Sequence, residues 1–179
     1  TLNGAKVLPA TVLSEIKGKD ISLNLDMENG FIWKINGTSI TAETPADIDL
    51  SVTNTAEYIP AALYSLISTN QNDFGFHLGR SGAFDFPAVL SVKADVSCAG
   101  LMANLFWYDV ENGVLQCIQS VTVGGAFERS IPYADFTLSK GQDYFIAFGT
   151  ESLNGRDIHT DGSITDLSLI HISEPTRPY

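Results

Sequence analysis

Asp157, His159 and Asp161 stand at alternate positions ahead of Gly162 and Ile164. Calcium takes hard oxygen ligands. A loop that wraps it supplies them at the first, third and fifth places, with glycine at the sixth for the sharp turn. Asp157 and Asp161 fit that first half. His159 departs from it, because an imidazole nitrogen is a poor calcium ligand. The twelfth place is Ser168, which cannot supply the bidentate carboxylate. The spacing predicts an incomplete calcium half-loop with no tight site in this chain, against an ordinary Asp/Gly-rich linker. No other cofactor is expected.

The second candidate is aromatic. In a strand over Leu105-Phe106-Trp107-Tyr108-Asp109, successive side chains face opposite sides. One set enters the core. The other could form a flat platform that stacks on a sugar ring, with Trp33 and Tyr64 extending it. The competing reading is that all are core residues, as large aromatics commonly are.

Acid–base chemistry has weaker support. Asp26, Glu28, Asp47 and Asp49 could pair for glycoside hydrolysis, but they alternate with apolar residues and face solvent by default. His77 is a lone histidine in Phe74-Gly-Phe-His-Leu78, and no serine or cysteine lies in a nucleophile elbow. Cys98 and Cys117 are too few for a metal site. They form either a disulfide, in a secreted chain, or two small buried thiols. The expectation is a protein that is not an enzyme.

The elements that position these residues are mostly strands. Ile21, Leu23, Leu25 and Met27 alternate with Ser22, Asn24 and Asp26, and Phe31, Trp33 and Ile35 alternate with Ile32, Lys34 and Asn36. That period of two marks strands, and Glu28-Asn29-Gly30 between them reads as a tight turn. Asn36-Gly37 reads as a second turn, followed by short strands at Ile40 and at Ile48–Val52. Leu8–Gly18 reads as a short helix, with Pro9 suited to its start and Gly18 to its stop. Ile59–Ile67, Phe74–Leu78 and Phe84–Phe86 echo this order as a weak helix-plus-hairpin repeat of about fifty residues. Further strands are predicted at Pro87–Val92, in a hairpin of Ala103–Val110 and Val114–Val121, and at Phe136–Leu138 and Tyr144–Phe148. Many short strands with Asn-Gly turns predict a mainly β chain, a β-sandwich of immunoglobulin-like or jelly-roll-like type with one or two short helices.

Composition narrows the partners. The chain has 179 residues, 21 acidic and 10 basic, for a formal charge of -11. Such a surface repels phosphate backbones, so no nucleic-acid partner is expected. No apolar run is long enough for a membrane span. The chain opens on Thr1 rather than Met, as expected after removal of a signal peptide or in a fragment.

Several motifs resemble known families. Leu8-Pro9, Val12-Leu13, Lys17–Asp20, Trp33-Lys-Ile-Asn-Gly37, Asp49–Val52, Phe86–Leu90, Ala103–Tyr108 and Asp143-Tyr144 together resemble an accessory module of large secreted, multi-domain proteins of anaerobic gut Firmicutes. The resemblance spans roughly residues 2–152 and implies no catalytic residue. It implies an extracellular or cell-surface setting, with a structural, adhesive or partner-binding role toward a glycan or another extracellular protein. Asp157–Asp166 resembles the start of a dockerin, which implies a cohesin partner and bound calcium only for an intact parent protein. Leu167–Arg177 is similar to a reading-frame translation of the transposon-end adapter used in sequencing libraries. That likeness implies that the tail is not native. The expected organisation is a β-sandwich module over 1–153, a linker or truncated calcium half-loop over 154–166, and an adapter-derived tail over 167–179. Carbohydrate binding through Trp33, Phe106, Trp107 and Tyr108 is the alternative role, and a fragment of a glycan-processing enzyme a weaker one.

Overall fold

A computed structural model describes residues 6–124 and 131–166. The tail 167–179 lies outside the described residues. In chain order the elements are β1 (Val7–Leu8), α1 (Ala10–Ile16), β2 (Ser22–Asp26), β3 (Phe31–Asn36), β4 (Ile48–Asp49), β5 (Val52–Thr53), α2 (Ala61–Tyr64) and β6 (Phe74–Leu78). They continue with β7 (Ala83–Lys93), β8 (Met102–Asp109), β9 (Val114–Thr122), β10 (Tyr133–Lys140), β11 (Asp143–Gly149), β12 (Arg156–His159) and β13 (Ile164–Asp166). All strand pairs are antiparallel. A four-stranded sheet has the order β10-β7-β3-β2, and a seven-stranded sheet the order β13-β12-β9-β8-β11-β6-β5. β1 and β4 form a small separate pair.

The fold is the expected mainly β sandwich with short helices. The inward residues of β3, β7 and β10 (Phe31, Trp33, Ile35, Phe86, Leu90, Phe136) form one core with those of β6, β8 and β11 (Phe76, Leu78, Leu105, Tyr144, Ile146). Apolar burial of this kind is the main favourable term in folding. Local signals act as read at several places. Pro9 caps α1, whose Leu13 and Ile16 are buried, and Gly18 stops it at φ 75°. In the β2–β3 turn the left-handed residues are Glu28, at φ 66°, and Gly30. Asp26 steadies that turn by accepting from the Glu28 amide at 2.8 Å. Ile40 is buried but lies in no strand.

The predicted repeat does not survive tertiary pairing. β2 and β3 pair as a hairpin, but β6 and β7 belong to different sheets. So do β10 and β11. β6 pairs with β11 in one sheet and β7 with β10 in the other, so a two-stranded ribbon bends from sheet to sheet. Strands that switch sheets make the corners of such sandwiches. This corner closes tightly: the Gly141 amide bonds the Gly82 carbonyl at 3.0 Å, and a Cβ on Gly141 would lie 1.6 Å from the Arg80 carbonyl oxygen. Phe84–Phe86 and Pro87–Val92, expected as two strands, are one strand. Pro87 falls near the irregularity in the β7–β10 register, where a missing N–H donor is tolerated.

The seven-stranded sheet is covered on both faces. On its outer side Phe106, Leu115, Cys117, Phe145, Ala147 and Ile158 pack under Ile59, Leu63 and Ile67 from α2 and its flanks. β11 is therefore buried on both sides and reads Tyr-Phe-Ile-Ala-Phe without alternation.

Candidate functional site

Two features occupy the outer face of the seven-stranded sheet. The first is a concavity of about 430 Å³ between the chain after α2 (Leu66, Ile67, Thr69) and the β12–β13 hairpin (Arg156, Ile158, Ile164). Asn104 and Phe106 of β8 and Ala147–Gly149 of β11 also line it. Asn104 is 1% exposed, and both polar atoms of its amide are bonded. Nδ2 donates to the Glu151 carbonyl at 3.1 Å, and Oδ1 accepts from the Leu153 amide at 2.8 Å and the Ser120 hydroxyl at 2.6 Å. It anchors the loop between β11 and β12. Arg156 stands 3.6 Å from Asp166 on the facing strand.

The second feature is polar and aromatic. His77 on β6 and Asp143 on β11 are cross-strand partners, and the carboxylate lies 2.8 Å from His77 Nδ1. That contact leaves Nε2 toward the Gln142 amide nitrogen at 3.5 Å. The Tyr58 ring stacks on the imidazole, with centroids 4.4 Å apart and planes 30° from parallel. Tyr58 is nonetheless 51% exposed, so its other face meets solvent. A hydrogen bond to Glu57, with that residue's charge, holds the Tyr58 hydroxyl above its ordinary pKa.

Contacts on either side of Tyr58 place it there. Gly75 leaves room for Ala56, and a Cβ on Gly75 would lie 2.7 Å from the Ala56 Cβ. Ile59 is 3% exposed in the outer apolar cluster, and its amide bonds the Ala56 carbonyl at 3.0 Å. The loop is therefore pinned on either side of Tyr58, directly over the next outward residue of β6. No local motif announces this grouping. His77 was visible as an isolated histidine, but Asp143 meets it only through strand register across 66 positions.

The predicted aromatic platform is not assembled. Trp33 is on the four-stranded sheet, 1% exposed, with Nε1 donating to the Leu50 carbonyl at 2.9 Å. Phe106 is wholly buried under the α2 layer, with Tyr108 packed against the same cluster. Trp107 faces the opposite way, against the central core, and donates to the Gly141 carbonyl at 3.0 Å. The Lys140 ammonium lies 3.5 Å from its ring centre, a cation–π contact that occupies the ring face. Tyr64 stacks on Phe145 at 5.0 Å. The sheet buries both faces, and so the alternate aromatics find separate cores instead of one ledge.

Asp157 and Asp161 are likewise not arranged as a calcium half-loop. Residues 156–166 form a hairpin, with Asp157 opposite Thr165 and, on the other side, Gln116 of β9. Asp157 is buried there, which pushes its carboxyl above the usual carboxylate range. Asp161 lies in the turn, where it accepts from the Ser163 amide at 2.9 Å and hydroxyl at 2.6 Å; these bonds hold its carboxyl low. Asp157 and His159 alternate because both lie in β12, which buried Ile158 holds against the sheet, and Asp161 follows in the turn. Among the described residues no group of three or more His, Cys, Asp or Glu side chains could hold a metal ion.

Cys98 and Cys117 are unpaired, which corrects the disulfide alternative. Cys98 lies in the central core and Cys117 in the outer cluster, on opposite sides of the seven-stranded sheet. Burial pushes both thiols up, Cys117 to about 11. Among the described residues no helix is long and apolar enough to cross a membrane. No family model matches the chain, and no curated protein and no solved structure matches it.

Proposed function

We propose that this chain is a non-catalytic extracellular accessory module of a modular bacterial surface or cellulosome-type protein, with a spacing, adhesive or partner-binding role. The observation that carries the reading is how its carboxylates are used. Asp26, Asp47 and Asp49 each accept a backbone amide, from Glu28 at 2.8 Å, Ala10 at 2.7 Å and Ser51 at 2.9 Å. They brace turns and an element start, where a glycosidase would set two of them across a cleft. His77 is oriented by Asp143, but a nucleophilic triad also needs a hydroxyl or thiol bonded to the other ring nitrogen, and Gln142 occupies that side.

The secreted setting and the dockerin-like origin of residues 157–166 rest on the resemblance in the sequence. Carbohydrate binding, the second reading, is favoured by the solvent-facing ring of Tyr58. Purified protein incubated with chromogenic glycosides, esters and peptides should produce no turnover. Turnover that disappears in Asp49→Asn or His77→Ala would overturn the accessory reading.

A further inference from the structure

We infer that the ledge made by Tyr58, His77, Gln142 and Asp143 is a binding site for neutral saccharides, with one pyranose ring stacked on the open face of Tyr58. The inference rests on the accessory-module reading and names the ligand class for it. Three observations converge. Tyr58 offers a ring face to solvent while its other face is held on an imidazole. That imidazole is itself held by a carboxylate at 2.8 Å. The loop bearing the ring is pinned by Ala56 on Gly75 and by buried Ile59. A ring fixed in this way loses little conformational freedom when a ligand arrives, which is where preorganised sites gain affinity.

The chemistry around the ring selects the ligand. An aromatic face is electron-rich, so it attracts the weakly positive C–H face of a hexopyranose. Hydroxyls at that sugar's edge meet the groups a polyol needs. These are the carboxylates of Glu57 and Asp143, the side-chain carbonyl of Gln142, whose amide nitrogen donates to the Leu78 carbonyl at 2.9 Å, and the hydroxyl of Thr53, which pairs with His77. The carboxylates of the cluster, Glu57 and Asp143, are acidic, and the whole chain carries a formal charge of -11. Uronates, sulfated sugars and phosphates are therefore repelled. A protein partner needs roughly 800 Å² on each side, far more than one ring and its polar surround provide. A single stacking ring with a few hydrogen bonds corresponds to a dissociation constant on the order of 1 mM.

The test uses the full chain, isotope-labelled, titrated with cellohexaose, xylohexaose and mannohexaose to about 10 mM while amide resonances are followed. At least one should shift resonances confined to residues 53–58, 75–78 and 142–144. Tyr58→Ala should weaken that binding about tenfold or more, Tyr58→Trp should retain it, and His77→Ala should weaken it by freeing the ring. The thermal midpoint of each variant shows whether it is folded. The inference is overturned if no sugar shifts these resonances, if Tyr58→Ala binds like the wild type, or if shifts map to the concavity beside Asn104. Those outcomes leave the accessory reading standing. Cleavage of an oligosaccharide during the titration would instead sink that reading.

Discussion

Replacing Asn104 with leucine removes the polar link that holds the β11–β12 loop to the sheet. The side chains are similar in size, so the change opens little cavity and isolates the hydrogen bonds. Three partners lose their bond: the Leu153 amide, the Ser120 hydroxyl and the Glu151 carbonyl. A buried polar group left unsatisfied costs about 1–3 kcal/mol. The Ser120 hydroxyl can turn toward the Cys117 sulfur, already 3.9 Å away, and the Glu151 carbonyl borders the open concavity, where water can reach it. Those two recover part of their loss, and the Leu153 amide bears the full cost. The sum is about 2–4 kcal/mol, or roughly 5–15 °C in thermal midpoint for a domain of this size.

Urea unfolding followed by tryptophan fluorescence and far-ultraviolet circular dichroism measures the change. Asn104→Asp is the companion variant. It keeps both acceptor bonds, can donate to the Glu151 carbonyl only when protonated, and buries a charge at neutral pH. Burial raises the folded-state pKa of the new carboxyl, so its contribution is complete below the ordinary aspartate range and is lost as pH rises through the raised value. Asn104→Asp should therefore approach wild-type stability in acid and fall away toward neutral pH. If Asn104→Leu lies within about 0.5 kcal/mol of wild type, the loop is not held by this amide and the account of the concavity fails.

Other outcomes follow from the same geometry. Gly141→Ala places a methyl group against the Arg80 carbonyl oxygen, and should cost about 1–3 kcal/mol in unfolding free energy; an unchanged midpoint would mean the corner is looser than described. Asp157→Asn removes a carboxyl whose pKa burial raises. Ionising that carboxyl opposes folding, so the variant should be the more stable protein at neutral pH. The difference should close as acid protonates the wild-type group, and a gain independent of pH would refute the cause. Neither Cys98 nor Cys117 should react with an aromatic disulfide reagent in the native protein at mild alkaline pH, because both are buried with raised pKa values. Two thiols should titrate in guanidinium, and an intact mass lower by two hydrogens would reveal a disulfide instead.

Much of the local structure was legible because it depends on neighbours in sequence. The period of two over Ile21–Ile35, the glycine at 30 and the hairpin about Asn112-Gly113 give β2–β3 and β8–β9 as pairs. Pro9 and Gly18 bound the first helix for reasons confined to the backbone at those residues. The ribbon corner was not legible. Gly82 and Gly141 look like ordinary turn residues, yet Gly141 is required by an approach to Arg80, about 61 positions earlier in the chain.

Sequence by itself determined that this chain is β-rich, acidic and without a local nucleophile motif, since composition and short-range periodicity carry those properties. Only the tertiary structure decided which aromatic faces water. Alternation says that Phe106 and Trp107 point opposite ways, but not that one meets the α2 layer and the other meets Lys140 and the central core. Tyr58, in a loop with no periodic signal, became the open ring because Gly75 admits Ala56 and register brings Asp143 to His77. Contacts between distant strands depend on how the two sheets close on each other, and no stretch of sequence encodes that alone.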